Sequence, residues 1–223
     1  MPAAPGPLRV MGAGTIGCYV GGCLQAAGVD VQFIGRPRVL DALRRHGLRL
    51  TDLDGRDTTL PPATLQLHDT PPPTPALTLL CVKSGATADA ARQLPVGSTV
   101  LSLQNGVSNA EVAATVAPGL GVIAGMVPFN VAELAPGHFH RGTAGELAAQ
   151  AHPALEPWAA AFAAAGLPLR RHADLRPIQW GKLLLNLNNP VNALSGLQLR
   201  AELLDRDCRL VLAALQREAL AVL

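Results

Sequence analysis

The stretch Gly12-Ala13-Gly14-Thr15-Ile16-Gly17 decides how the rest of the chain is read. It follows the apolar run Leu8-Arg9-Val10-Met11 and opens a small-residue segment, residues 18–27, that predicts a helix. Strand, glycine turn and helix in that order form a dinucleotide fingerprint. Gly12 makes the tight turn, Gly14 lets the backbone approach a pyrophosphate, and Gly17 lets helix and strand pack closely. The helix N-terminus, beginning at Thr15 and Ile16, then offers free N–H groups and a positive dipole end to the phosphates. An ordinary glycine-rich loop is the competing reading, and the context on both sides favours nucleotide binding.

Residues 30–34 predict a second, parallel strand, which completes a βαβ unit of the expected length. Its far end bears on the choice of cofactor. An NAD enzyme usually places an acid there for the ribose 2′-OH, whereas this chain has Gly35-Arg36-Pro37-Arg38, and Asp30 stands at the opposite end of the strand. Arginine at that place pairs with a 2′-phosphate, so NADP is expected, with a solvated basic turn as the alternative.

At 223 residues, 49% of them hydrophobic, the chain can bury a sizeable core and suits one or two domains. A net charge of +2, dispersed basic residues and few aromatics argue against nucleic acid as a partner. Apolar stretches such as residues 119–127 are too short to span a bilayer, and residues 1–7 lack the charged and apolar regions of a leader, so no membrane partner and a cytoplasmic location are expected. Cys18, Cys23, Cys81 and Cys208 show no paired spacing and are expected to be free buried thiols, with no metal site. Lys83 and Lys182 are the only lysines among 18 basic residues, so each invites a reason for a compact ammonium.

Residues 39–46 predict a short helix, and residues 48–60 a hairpin turning at Asp54-Gly55. Proline clusters at 61–62 and 71–73 bracket a connection with little regular structure. The apolar run 77–82 predicts a strand buried on both faces, with Lys83 at its carboxyl end, the edge of an open α/β sheet where ligands bind. A helix over 87–94 leads to a strand over 99–103 that ends in Gln104-Asn105-Gly106, again a polar group at a strand's carboxyl end. Asn105 either makes a turn or reaches a ligand. Helix over 107–117 and strand over 121–127 follow. Residues 129–134 and 138–147 then predict antiparallel strands, with His138 and His140 as alternating surface histidines. Residues 153–165 predict a helix and 167–170 a short strand, and from residue 175 the pattern is helical throughout.

Within that helical part, Lys182, Asn186 and Asn189 fall at i, i+4 and i+7, within roughly 60° of one another on a helix. They form a polar stripe on an apolar helix, and Pro190 predicts a bend or an end nearby. The stripe is either a capping cluster with a snorkelling lysine or, opposite a nicotinamide, a lysine and amides that hold and protonate a carbonyl oxygen.

The combination resembles the ketopantoate reductase family, also called 2-dehydropantoate 2-reductase. The resemblance runs from the fingerprint through Arg36, Lys83, Gln104-Asn105-Gly106, Phe129-Asn130 and residues 180–189 to Asn192-Ala193-Leu194-Ser195-Gly196. It implies an α/β fold, a doubly wound Rossmann-type domain over residues 1–172 followed by an all-helical domain over 173–223. It also implies NADPH-dependent reduction of ketopantoate to pantoate on the route to pantothenate and coenzyme A. By position, Lys182 resembles the catalytic lysine, Asn105, Asn186 and Asn189 the substrate amides, and Arg36, Lys83 and Asn105 the cofactor contacts. Family members are longer, and Glu202 and Glu218 do not match the glutamate that their later helices supply. Two other functions stay open: a nucleotide-binding protein without catalysis, and a reductase of another 2-oxoacid. Apolar residues over 203–223 cover too much of one expected helix, residues 200–223, to stay in water, which predicts a homo-oligomer.

Overall fold

A computed structural model describes residues 5–223, so most of the 1–7 segment lies outside the described residues. The chain divides into two compact units, one running to Leu175 and the other spanning Arg176–Leu223.

The first unit runs β1 (Leu8–Met11), α1 (Thr15–Ala26), β2 (Val31–Ile34), α2 (Pro37–His46), β3 (Leu48–Asp52), β4 (Asp57–Leu60), β5 (Gln66–His68) and β6 (Leu77–Leu80). It continues with α3 (Thr87–Gln93), β7 (Thr99–Ser102), α4 (Asn109–Val116), β8 (Gly121–Met126), β9 (Val131–Ala135), β10 (His138–Arg141), β11 (Leu147–Gln150), α5 (Ala159–Ala164) and β12 (Leu169–His172). Eight strands make one sheet in the order β12-β11-β8-β7-β6-β1-β2-β5. From β8 to β5 every pairing is parallel, while β11 runs antiparallel to β8 and parallel to β12. The order reverses at β1, with β2 on one side and β6 on the other. This is a doubly wound, Rossmann-like α/β unit, as expected.

Strand alternation sorts side chains to the two faces. Leu8, Val10, Phe33, Leu79 and Leu101 join the α1 side chains in one core, while Met11, Ile34, Leu80 and Val100 join Ala90, Ala91 and Ala113 of α3 and α4 in another. A second sheet, β4-β3-β10-β9, covers the far side of α1. The helix fits between the two sheets because it is thin. A Cβ at Gly21 would press on Val10 and Phe33, and one at Gly22 on Leu48 and Leu50.

Asp52, at the end of β3, ties this second sheet to α1. It accepts from the Tyr19 hydroxyl at 3.1 Å and from the backbone N–H groups of Asp54 and Arg56 at 2.9 Å each, with Arg141 at 3.3 Å and Arg56 at 3.4 Å. Burial alone would raise its pKa. The backbone N–H of Arg56, the Tyr19 hydroxyl, the backbone N–H of Asp54 and the Arg141 charge outweigh it and hold the carboxyl below its ordinary value.

Several expectations are corrected. The connection between the proline clusters contains β5, an edge strand of three residues, too short to show periodicity. The segment 138–147 is not one strand: β10 ends at Arg141 in the second sheet, and β11 starts at Leu147 in the first. Gly145, at a φ of +136°, lies in the link between them. His138 and His140 are half-buried, and His138 Nε2 and His140 Nδ1 each meet Thr51 Oγ1 at 2.9 Å. Cys81 and Cys208 are only half-buried, whereas Cys18 and Cys23 are buried free thiols.

The second unit holds α6 (Arg176–Asn186), α7 (Asn188–Ser195), α8 (Leu199–Leu204) and α9 (Arg206–Leu220). The expected helix over 200–223 is two helices. Asp205 accepts from the N–H groups of Asp207 and Cys208 and so starts α9, while the Arg209 guanidinium donates to the Leu203 and Leu204 carbonyls at the end of α8. Among the described residues, no helix is long and apolar enough to cross a membrane.

Candidate functional site

At the carboxyl ends of β2, β1, β6 and β7, where the strand order reverses, the first unit has a cleft of about 480 Å³. Open α/β sheets bind ligands at this place, because the loops diverge to opposite faces of the sheet there. Gly12, Gly14, Thr15, Ile16, Arg36, Lys83 and Asn105 all line it. Residues from four separate segments thus meet in one cavity.

The glycine turn is held by backbone bonds. The N–H groups of Gly12 and Ala13 both donate to the Ile34 carbonyl at 2.9 Å, and that of Gly14 to the Gly12 carbonyl at 2.8 Å. Gly12 has a φ of +108°, and a Cβ there would stand 2.7 Å from the Val82 nitrogen. Gly17 does not line the cleft. It lies beneath the turn, where a Cβ would collide with the Gly12 carbonyl oxygen and with Val10. At Gly14 the opposite holds: a Cβ would meet nothing within 4 Å. The turn is therefore closed on its protein side and open on its cleft side. Helix α1 carries no side-chain cap, and its first N–H groups lack partners within the helix, so they suit an anionic group. These features fit the pyrophosphate of a dinucleotide.

Arg36, the exposed residue before α2, stands beside this turn on the carboxyl side of β2. Asp30 lies at the amino end of the same strand and accepts from the Gln66 side chain, so it cannot serve the cleft. The one acid lining the cleft is Asp69, just after β5, and nothing in the sequence singled it out. Its position became meaningful only once β5 paired with β2. Lys83 follows β6 and Asn105 follows β7, both exposed at the cleft. Cys81 also lines it, and burial pushes its thiol up to about 12, so it stays protonated at neutral pH.

Behind these two loops lies a chain of buried polar side chains. The Ser102 hydroxyl donates to Gln104 Oε1 at 3.0 Å, and Gln104 Nε2 donates to the Val82 carbonyl at 2.9 Å and to Thr87 Oγ1 at 2.7 Å. Thr87 Oγ1 donates to Asn109 Oδ1 at 3.1 Å, and Asn109 Nδ2 donates to the Asn105 carbonyl at 2.7 Å. Sequence reasoning placed Thr87 and Asn109 in helices and gave them no role. A polar residue at a helix start carries no signal that it will be buried.

The remaining sequence-predicted residues belong to the second unit. Lys182 lies on α6, half-buried, and its burial lowers the ammonium pKa below the usual lysine value. Asn186 is the last residue of α6, also half-buried. Asn189 is exposed and sits on α7, beyond a break at Leu187. The expected stripe on one continuous helix is thus interrupted, close to Pro190 as predicted. The physical reason is the N–H that proline lacks for the Asn186 carbonyl.

A family model described as "Ketopantoate reductase PanE/ApbA" matches residues 9–154, which include the glycine turn, the cleft and the buried polar chain. A 2-dehydropantoate 2-reductase of Halobacterium salinarum is 32% identical over 200 residues, covering 84% of this chain and 64% of that protein. The chain therefore spans less than two thirds of that relative's length. A PanE/ApbA family ketopantoate reductase from Ralstonia eutropha JMP134 superposes with a TM-score of 0.85 at 32% identity, covering 97% of this chain and 73% of that one. A 2-dehydropantoate 2-reductase from Geobacter metallireducens GS-15 gives a TM-score of 0.82 at 30% identity, covering 96% of this chain and 74% of that one. With the fold, the glycine turn and the relatives in agreement, the chain belongs to the ketopantoate reductase PanE/ApbA family of oxidoreductases.

Proposed function

We propose that this protein is a cytoplasmic NADPH-dependent reductase that converts 2-dehydropantoate to pantoate, a step toward pantothenate and coenzyme A. The observation that carries the proposal is the cleft itself. A dinucleotide turn, Arg36, Lys83 and Asn105 converge on one cavity at the sheet's reversal point. NADPH, when bound, supplies the hydride for the keto carbon. The chain does the rest. The N–H groups at the start of α1 hold the pyrophosphate, and Arg36 pairs with the 2′-phosphate through charge-assisted bonds. Lys83 and Asn105 orient the ribose and nicotinamide end. Lys182 stabilises the oxyanion that develops on the substrate and returns a proton to it, a role suited to an ammonium whose pKa burial has lowered. Asn186 and Asn189 hold the oxoacid. Self-association is part of the proposal, because the second unit exposes Leu194, Leu204, Leu210, Val211 and Leu220.

The test follows NADPH oxidation against a panel of branched 2-oxoacids. Turnover greatest on 2-dehydropantoate is expected. Turnover on a different member of the panel would rename the substrate, and tight NADPH binding with no turnover at all would leave a nucleotide-binding protein.

A further inference from the structure

Two cleft residues, Lys83 and Asn105, stand on separate loops after neighbouring strands β6 and β7. At the surface the Ser84 hydroxyl donates to the Asn105 carbonyl at 3.4 Å, a long bond between exposed residues, so the firmer tie between the loops lies beneath them. The buried polar chain reaches both. Gln104 Nε2 spends its two hydrogens on the Val82 carbonyl, next to Lys83, and on Thr87 Oγ1. Thr87 then passes its own hydrogen to Asn109, which donates to the Asn105 carbonyl. Donors and acceptors alternate without conflict along the whole path. The path also joins the first residue of α3 to the first residue of α4, so each loop is tied to the helix start that follows it. Thr87 has no solvent exposure, and Gln104 and Asn109 are buried. Water cannot replace a missing link there, and a buried amide left without its partner is costly.

We infer that Thr87 and Asn109 are positioning residues of the cleft, setting the spacing of Lys83 and Asn105 through this relay. The inference rests on the nucleotide-binding reading for its ligand, but the relay itself can be tested without one. Thr87→Val keeps the shape and removes the hydroxyl, so Gln104 and Asn109 each lose a partner. Amide hydrogen exchange in Thr87→Val should accelerate about tenfold or more in segments 82–84 and 104–109 and stay unchanged in β1 and β2. The NADPH dissociation constant should rise about tenfold, and Thr87→Ser, which restores the hydroxyl, should recover both values. In a Lys83→Ala/Asn105→Ala background, Thr87→Val should weaken NADPH binding no further, because the residues it positions are gone.

Asn109→Ala breaks the chain from the other end and should repeat the pattern, which covers the case in which Thr87→Val does not fold. Unchanged exchange in the two loops, failure of serine to rescue, or full multiplication of the losses in the double-alanine background would overturn the inference. If the wild-type chain binds no NADPH but the exchange pattern appears, the relay stands and the cofactor assignment falls.

Discussion

In the unit that runs to Leu175, the central strands β1, β2, β6 and β7 bury side chains on both faces, and α1 is packed between two sheets. In residues 176–223 the buried positions are Gln179, Val191 and Glu202, two of them polar, while Leu194 is 89% exposed and Leu204 71%. The helices of the second unit are held by local devices: the Asp205 cap, the Arg209 contacts to α8, and Gly196 closing α7 at a φ of +65°. The first unit thus builds its cleft on a buried sheet, and the second carries the proposed catalytic and substrate-binding side chains on helices with local caps. Nucleotide binding should therefore survive changes in the second unit, and turnover should not.

The sharpest way to break that comparison is Lys182→Ala. Loss of a general acid and its charge should lower turnover about 10²- to 10⁴-fold while the NADPH dissociation constant stays as in wild type. Steady-state kinetics and calorimetry on the same preparation separate the two effects. Unchanged turnover would remove Lys182 from the mechanism.

Arg36→Ala probes the first unit. NADPH should bind more weakly by about 1.5 to 3 kcal/mol, and NADH by little, since only one of them presents a 2′-phosphate to the guanidinium. Titration of both cofactors against both proteins checks this, and equal losses would reject the 2′-phosphate contact. Asp69, the acid on the same cleft, works in the opposite sense. In Asp69→Asn the preference for NADPH should increase, as like-charge repulsion is removed.

A further prediction concerns the acid limb of stability. Asp52 has a folded pKa below its ordinary value, so it contributes stability that is fully present above the unfolded carboxylate range, near pH 4, and is lost as pH falls through the folded pKa. Asp52→Asn should cost about 1 to 3 kcal/mol at pH 7, because Tyr19 and Arg141 lose a charged acceptor. The difference from wild type should shrink below pH 4. Urea unfolding at both pH values measures it, and a gap that persists undiminished at pH 2.5 would contradict the assignment.

The smallest expected effect is association. Burying a few hundred Å² of apolar surface at about 25 cal/mol per Å² gives several kcal/mol before association costs, a driving force toward self-association. Sedimentation should show a dimer or larger species, with Leu204→Gln/Leu210→Gln shifted toward monomer. A monodisperse wild-type monomer that binds no hydrophobic dye would end the proposal.

How much of this was legible beforehand differs by residue. Gly12, Gly14 and Gly17 could be read in advance because each answers a local steric demand, and local demands repeat in sequence with fixed spacing. Lys83 and Asn105 were legible as polar residues ending apolar runs, a signal that depends on the strands alone. The pairing of β3 with β10 and the adjacency of β5 to β2 were not, since contacts between segments far apart leave no periodic trace. Arg9 shows the same limit. It falls inside the apolar run of β1, yet it is fully buried with Gln32 and Thr74 as partners, the latter 65 residues away.

The sequence by itself determined the strand–turn–helix signature, the missing acid at the end of β2 and the apolar strands that make a parallel sheet, because these follow from backbone sterics and alternation over a few residues. Only the tertiary structure decided which loops meet at the cleft, that Asp69 lines it, and that Gln104, Thr87 and Asn109 join the Val82 carbonyl to the Asn105 carbonyl. Those facts depend on strand order, and strand order is set by the burial of the whole sheet rather than by any segment within it.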